Sequence, residues 1–166
     1  NTFSIFHYGV QMMQIFKKIN ALVLALGLVA LTATSVWADA GDIGYRQKVM
    51  KAVGGHMGAM ASILKGQGGS MKDIAAHAGA MADLARISQS VFPKDSTTME
   101  GKARALDAIW DKPDAFAKVN KAFQMEAEKL AKVAKGGDKG AIGAQLGALG
   151  KNGCKACHTD FREKQK

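Results

Sequence analysis

Residues 138–161 read DKGAIGAQLGALGKNGCKACHTDF and lie close to the end of the 166-residue chain. Within this stretch, apolar and small residues recur every three or four positions, which is the pattern of one α-helical face: Ile142, Leu146, Leu149, Gly153, Cys157 and Phe161. Asp138 is a residue type that caps a helix N-terminus. The stretch therefore predicts one long C-terminal helix.

Beyond its first turn, the predicted helix contains four glycines, at Gly143, Gly147, Gly150 and Gly153. A glycine inside a helix costs roughly 1 kcal/mol relative to alanine. We therefore expect a neighbouring helix or a bound group to approach this helix closely.

The only two cysteines of the chain belong to the sequence C-x-x-C-H, formed by Cys154, Cys157 and His158. This is the attachment sequence for c-type haem, in which both sulfurs bond the macrocycle and the imidazole is the proximal iron ligand. We predict one haem c bound covalently through Cys154 and Cys157, with His158 on the iron. The alternative is a dithiol or disulfide, but a thioredoxin-like motif belongs in a βαβ context and the sequence predicts no strands.

Three further stretches have helical periodicity, at residues 43–64, 70–91 and 113–133. Glycines follow the first and third, so their connections are short and the joined helices are antiparallel neighbours. The predicted fold class is all-α, an antiparallel up-down-up-down four-helix bundle with the haem attached near the C-terminus. The middle connection, residues 92–113, is longer. We expect it to contain a short helix around 103–110 and to cover one end of a site.

Residues 1–40 are interpreted as upstream residues followed by a secretory signal peptide. Lys17 and Lys18 precede an apolar run, and small residues follow up to Ala40, which is the order of a cleaved leader. The apolar run is short for a membrane span of about 20 residues. A retained anchor is the second interpretation. We predict a periplasmic protein with one domain at residues 41–166 and no stable membrane insertion after cleavage.

The net charge of +9 could attract nucleic acid. The lysines are spread over all four predicted helices among acidic residues, which is typical of solvated faces, and export removes the usual partner. We expect no nucleic-acid binding, and we assign the basic charge to docking of acidic redox partner proteins in the periplasm.

Only eight residues follow His158, and none is Met or His, so any protein ligand on the other side of the iron comes from an upstream helix. With the haem motif at the end of a helical chain, the sequence resembles the class II c-type cytochromes, the cytochrome c′ family. Residues 45–51, 54–66, 109–116 and 153–162 carry the resemblance. It implies a four-helix bundle, one haem, and in many members an antiparallel homodimer.

The resemblance also implies roles for three residues. It places Met50 over the distal haem face, as a candidate sixth iron ligand of the low-spin relatives. It pairs Arg46, one turn earlier, with a haem propionate, the alternative being a solvated arginine. It places Arg162 beside the proximal imidazole, the alternative being an interaction with the helix dipole.

Two functions follow from this resemblance. The first prediction is a low-spin carrier of single electrons, with His158 and Met50 on the iron. The alternative is a five-coordinate, high-spin centre that binds NO or CO at an open distal site. We expect no enzymatic activity, because no Ser/His/Asp set or carboxylate pair lies near the haem segment.

The remaining methionines and histidines are interpreted as structural. Met57, Met60, Met81 and Met125 lie in or near apolar stripes and are predicted core residues. His56 and His77 are conceivable iron ligands, but the default for each is a surface or core histidine.

Overall fold

The computed structural model describes residues 40–94, 96 and 103–164. Six α-helices lie in these ranges, together with a 3₁₀ turn at Met71–Asp73 and a π-helical segment at Leu149–Lys155, here called the π segment. The α-helices are α1 (40–65), α2 (Ile74–Ile87), α3 (Ala108–Asp111), α4 (Pro113–Ala134), α5 (Lys139–Ala148) and α6 (Ala156–Phe161). The predicted leader falls on residues outside the described ranges, apart from Ala40.

The helix boundaries follow from local capping. Ser70 accepts from the backbone N–H of Lys72, while the Asp73 carboxylate accepts from the backbone N–H of Ser70, which makes a reciprocal capping box before α2. Asp138 caps α5 by accepting from the backbone N–H of Ala141 at 2.6 Å. Gly66, just after α1, has a φ of +71° that favours glycine. These turns leave consecutive long helices antiparallel, and the predicted four-helix bundle is confirmed.

The predicted continuous C-terminal helix is wrong in one respect. The segment consists of α5, the π segment and α6. Just before and within the C-x-x-C-H motif, the backbone hydrogen bonds therefore span five residues, as in a π-helix, instead of four. Such π insertions are found frequently at functional sites. The insertion shifts the register of the following turn.

The main core joins all four long bundle segments through small and aliphatic side chains. Its largest fully buried members are Met60, Ile74, Met81, Leu130, Ile142 and Leu149. The methionine prediction is therefore confirmed for Met60 and Met81 and is wrong for Met125, which is 59% exposed.

Two of the four helix glycines make the predicted close approach. A Cβ at Gly153 would lie 3.2 Å from Phe123 Cα, and a Cβ at Gly150 would lie 3.3 Å from Met57 Cε. Gly143 and Gly147 have no protein atom within 4 Å of that position, so no neighbouring helix approaches them closely.

Residues 104–106, in the described part of the long middle connection, pair with the chain just after the motif. Ala105 and Arg162 form an antiparallel bridge, with the Leu106 N–H donating to Phe161 O and the Glu163 N–H donating to Arg104 O. A second apolar cluster lies beneath it, formed by Ile109, Phe116 and Phe161. Within the described ranges, no helix is both long and apolar enough to cross a bilayer.

Candidate functional site

Cys154 and Cys157 lie on successive turns where the π segment passes into α6. Both are free thiols, so the disulfide alternative is not formed. Burial raises the pKa of both, and for Cys157 burial together with the charges of Cys154 and Asp160 raises the pKa to about 11. Both sulfurs are therefore neutral at pH 7 and face an apolar environment.

His158 follows directly and contacts Arg162 one turn later. The Arg162 guanidinium lies 3.4 Å from His158 Nδ1. Partial burial, and then the charges of Arg162 and Arg104, lower the pKa of His158. The imidazole is therefore neutral at pH 7, the form that has a lone pair for a metal.

A cavity of about 680 Å³ opens beside these three residues. Its size is in the range of roughly 300–1,000 Å³ found for cofactor sites. One wall is the C-terminal segment, with Gly153, Cys154, Cys157, His158, Phe161 and Arg162. A second is α1, with Arg46, Gln47, Met50, Lys51, Val53, Gly54 and Met57. The rest comes from Ser88, Phe92, 103–105, Ile109, Phe116, Asn120 and Phe123.

Arg46 is buried at this cavity, with only 4% of its surface exposed. Its Nη1 donates to the backbone oxygen of Ser96 at 3.2 Å and to Ser96 Oγ at 3.0 Å. Its guanidinium carbon lies 5.0 Å from the ring centre of Phe92 and 5.7 Å from that of Trp110, both within cation–π range. The alternative of a solvated arginine is wrong.

Met50 is half-buried in the cavity wall, while the two histidines lie elsewhere. His56 of α1 and His77 of α2 do not line the cavity and contact each other. The structure therefore brings all six predicted site residues to one cavity: Arg46, Met50, Cys154, Cys157, His158 and Arg162.

Two groups of site residues were missed at the sequence level. Ser96 and Phe92, which hold Arg46, are in the long connection, where periodicity gives no signal. Asn120 and Ser88 line the cavity, and their side chains lie 3.0 Å apart. Asn120 did carry a signal, because it is a polar residue on the apolar stripe of α4 between Phe116 and Phe123.

The cavity suits a haem by the chemistry of its walls. A haem is a flat apolar macrocycle with two carboxylates, and the lining combines mainly apolar side chains with arginines and with two thiols next to an imidazole. Among the described residues, no Asp or Glu lines it. The residues present therefore fit the group that the motif predicts.

Comparisons with known proteins agree. The family model described as Cytochrome C′ matches residues 42–162. Cytochrome c′ of Rhodospirillum rubrum is 38% identical over 145 residues, covering 85% of this chain and 97% of that protein. A ferrous variant of cytochrome c prime from Alcaligenes xylosoxidans with bound NO has a TM-score of 0.69 at 26% identity, covering 76% of this chain and 97% of the other. A carbon-monoxide-bound variant of that protein has a TM-score of 0.68 at 28% identity with the same coverage.

These comparisons confirm the class II resemblance and the prediction of one covalent haem c on Cys154 and Cys157. The main functional prediction, a low-spin electron carrier with Met50 as sixth ligand, is wrong. The Rhodospirillum rubrum relative is named cytochrome c′, and the two Alcaligenes xylosoxidans structures hold NO and CO, ligands that need a coordination position free of protein. They support the alternative, a five-coordinate centre.

Proposed function

Because the chain belongs to the cytochrome c′ family, we propose that it is a five-coordinate haem protein that binds NO or CO. The observation that carries the proposal is the binding of these gases by solved relatives that share its fold. The cavity supports it, because the C-x-x-C-H motif and a largely apolar stretch of α1 line the same space.

The residues have separate roles in this proposal. Cys154 and Cys157 hold the haem through thioether bonds, and His158 supplies the one protein ligand to iron. When bound, the haem supplies an iron that coordinates a diatomic ligand. Met50 and Val53 exclude water from the side of the cavity that α1 lines, and neither ligates the iron.

The two arginines act on the haem edge and on the proximal ligand. Arg46 is held by Ser96 and two aromatic rings, so its charge is fixed where it can pair with a propionate. The Arg162 guanidinium lies 3.4 Å from His158 Nδ1. When the Nε2 lone pair binds iron, Nδ1 carries the ring proton and cannot accept a hydrogen bond from the guanidinium. Arg162 therefore acts on the imidazole through its positive charge, which disfavours positive charge on the ring.

The wider setting is also proposed. Residues 1–40 contain the signal peptide that directs export to the periplasm. Residues 41–166 form the single functional domain, and the chain has no enzymatic activity. The absence of a carboxylate among the described cavity-lining residues supports this last point, since no acid–base pair faces the haem. Periplasmic redox proteins and a second copy of the chain are the proposed partners.

Absorption spectra of the purified haem protein test the proposal. We expect high-spin spectra in both oxidation states and a clear shift of the ferrous Soret band when CO is added. A methionine-to-iron charge-transfer band together with no response to CO would overturn it.

The variant Met50→Leu tests whether this side chain only lines the cavity, without ligating the iron. Leucine has a similar volume, so we expect an unchanged spin state and a change in CO affinity below about 1.5 kcal/mol, or roughly tenfold. Met125→Leu is the matched control, because Met125 is exposed and outside the cavity. Conversion from low to high spin in Met50→Leu alone would contradict the proposal.

A further inference from the structure

Two histidines from different helices meet outside the haem cavity. The Nδ1 atoms of His56 in α1 and His77 in α2 are 2.9 Å apart. The ring centres lie 5.2 Å apart, and the ring planes are inclined by 60°. Both side chains are half-buried, and each precedes a fully buried methionine, Met60 or Met81, by one helical turn. The packing of α1 on α2 therefore holds the two rings in one relative orientation.

The pair plays no part in the haem site, since neither ring lines the cavity. Within the described ranges, the hydrogen bond recorded for each ring is the one to the other. No group of three or more His, Cys, Asp or Glu side chains suited to a metal occurs there, so at most these two protein ligands are available.

The contact as it stands needs a proton between the rings. A neutral imidazole has one N–H and one lone pair, so one Nδ1 donates and the other accepts. If the donor ring moves its proton from Nδ1 to Nε2, both Nδ1 lone pairs become free and no net charge changes. A cation can then take the place of the shared proton.

The 2.9 Å separation of the two Nδ1 atoms can be compared with the spacing of nitrogen ligands around a metal ion. Imidazole nitrogens bind divalent transition metals at about 2.0–2.1 Å. Two such nitrogens at a right angle about the metal are about 2.9 Å apart, whereas the tetrahedral angle of zinc separates them by about 3.3–3.4 Å. Right-angle positions are those of tetragonal copper(II) and nickel(II) sites, and copper(II) binds nitrogen ligands more tightly.

We propose that His56 and His77 form a two-histidine copper(II) site that bridges α1 and α2, with water in the remaining positions. The site uses the Nδ1 atom of each ring. Because the two ligands are already placed by the fold, the second nitrogen binds as an intramolecular ligand at high effective concentration.

The test is a titration of the ferric holoprotein with Cu²⁺, followed by calorimetry and electron paramagnetic resonance. The ferric state is used because it does not reduce copper. We expect one equivalent to bind with a tetragonal copper signal that carries hyperfine coupling from two nitrogens. Wild-type protein that binds no copper above the level of the double variant His56→Gln/His77→Gln would overturn the proposal.

Single variants distinguish one copper site formed by both histidines from two histidines that bind copper independently. His56→Gln and His77→Gln should each weaken copper binding by at least about tenfold, and the double variant should be no weaker than either. Lys48→Gln, an exposed change on α1, should bind as the wild type does. Equal affinity in wild type and both single variants would contradict the site.

A measurement on the wild type covers the case in which a variant fails to fold. Substoichiometric Cu²⁺ should broaden backbone amide resonances of α1 around residue 56 and of α2 around residue 77 before any others. Broadening centred elsewhere on the molecule would exclude this site.

Discussion

At the scale of single residues, Arg46 shows how a charge is kept inside an apolar end of the bundle. The guanidinium lies against the faces of Phe92 and Trp110, while Ser96, fully buried, accepts from it through two oxygens. Trp110 is itself fixed, because its Nε1–H donates to Pro93 O at 3.0 Å. The long connection therefore shapes the surroundings of this cation.

The variant Ser96→Ala tests how much the hydrogen bonds from Arg46 to Ser96 contribute to the free energy of unfolding. It removes one acceptor from a buried cation, so the free energy of unfolding should fall by about 1–3 kcal/mol. Denaturant unfolding of the holoprotein measures the change. Ser90→Ala is the matched control, because Ser90 is exposed and its hydroxyl bonds only locally to Ile87 O; we expect an effect within about 0.5 kcal/mol there. Equal effects in the two variants would contradict the role given to Ser96.

At the scale of elements, the π segment is held from the side by α4. The Glu126 carboxylate accepts from Gln145 Nε2 at 2.6 Å and from Asn152 Nδ2 at 3.1 Å. These donors lie in α5 and in the π segment. One carboxylate therefore links α4 to both parts of the interrupted helix, directly before the cysteine motif.

Acid should loosen this link. Hydrogen bonds from Asn152 and then Gln145 lower the pKa of Glu126. Because its folded pKa lies below the unfolded one, the contribution is present above the unfolded pKa and is lost as pH falls through the folded pKa. Glu126→Gln should therefore destabilise the holoprotein at pH 7, by no more than about 1 kcal/mol given solvent screening. The difference should shrink toward about pH 3.

Urea unfolding at both pH values measures this effect. Glu128→Gln, on the same helix with an exposed side chain, is the control and should differ little from wild type at either pH. A Glu126→Gln deficit that stays constant on acidification would contradict the assignment.

At the scale of the whole molecule, the bundle is closed by a core at one end and surrounds a cavity at the other. The cavity is lined mainly by apolar side chains. A group bound in it supplies, at this end of the bundle, the apolar contacts that the core supplies at the other end.

The double variant Cys154→Ala/Cys157→Ala, which has no covalent haem, should lose order at the cavity end first. We expect amide hydrogen exchange to lose protection in the first half of α1, in residues 103–111 and in α6. Protection should persist where α2 packs on α4. Cys154→Ala, which keeps one attachment point, should lie between the double variant and wild type. Equal protection of α1 in the double variant and the wild type would contradict this prediction.

The helices, their caps and the haem motif could be predicted because each depends on residues close together in sequence. Asp138 caps the helix expected of it, and the periodicity of α4 marks its buried face. The π segment was not predicted, because its register depends on Gly153 packing against Phe123 and on side-chain hydrogen bonds to Glu126. Met125 was wrongly assigned to the core because the spacing of apolar residues does not distinguish a residue within the apolar stripe from one beside it.

The sequence by itself determined that this chain is a helical bundle with one haem held by Cys154 and Cys157, because spacing along a helix is a local property. The tertiary structure alone decided that Arg46 is buried against Ser96. It also decided that Asn120 lines the cavity and that His56 contacts His77. These contacts join residues far apart in the chain, and packing, rather than sequence spacing, sets the distances between them.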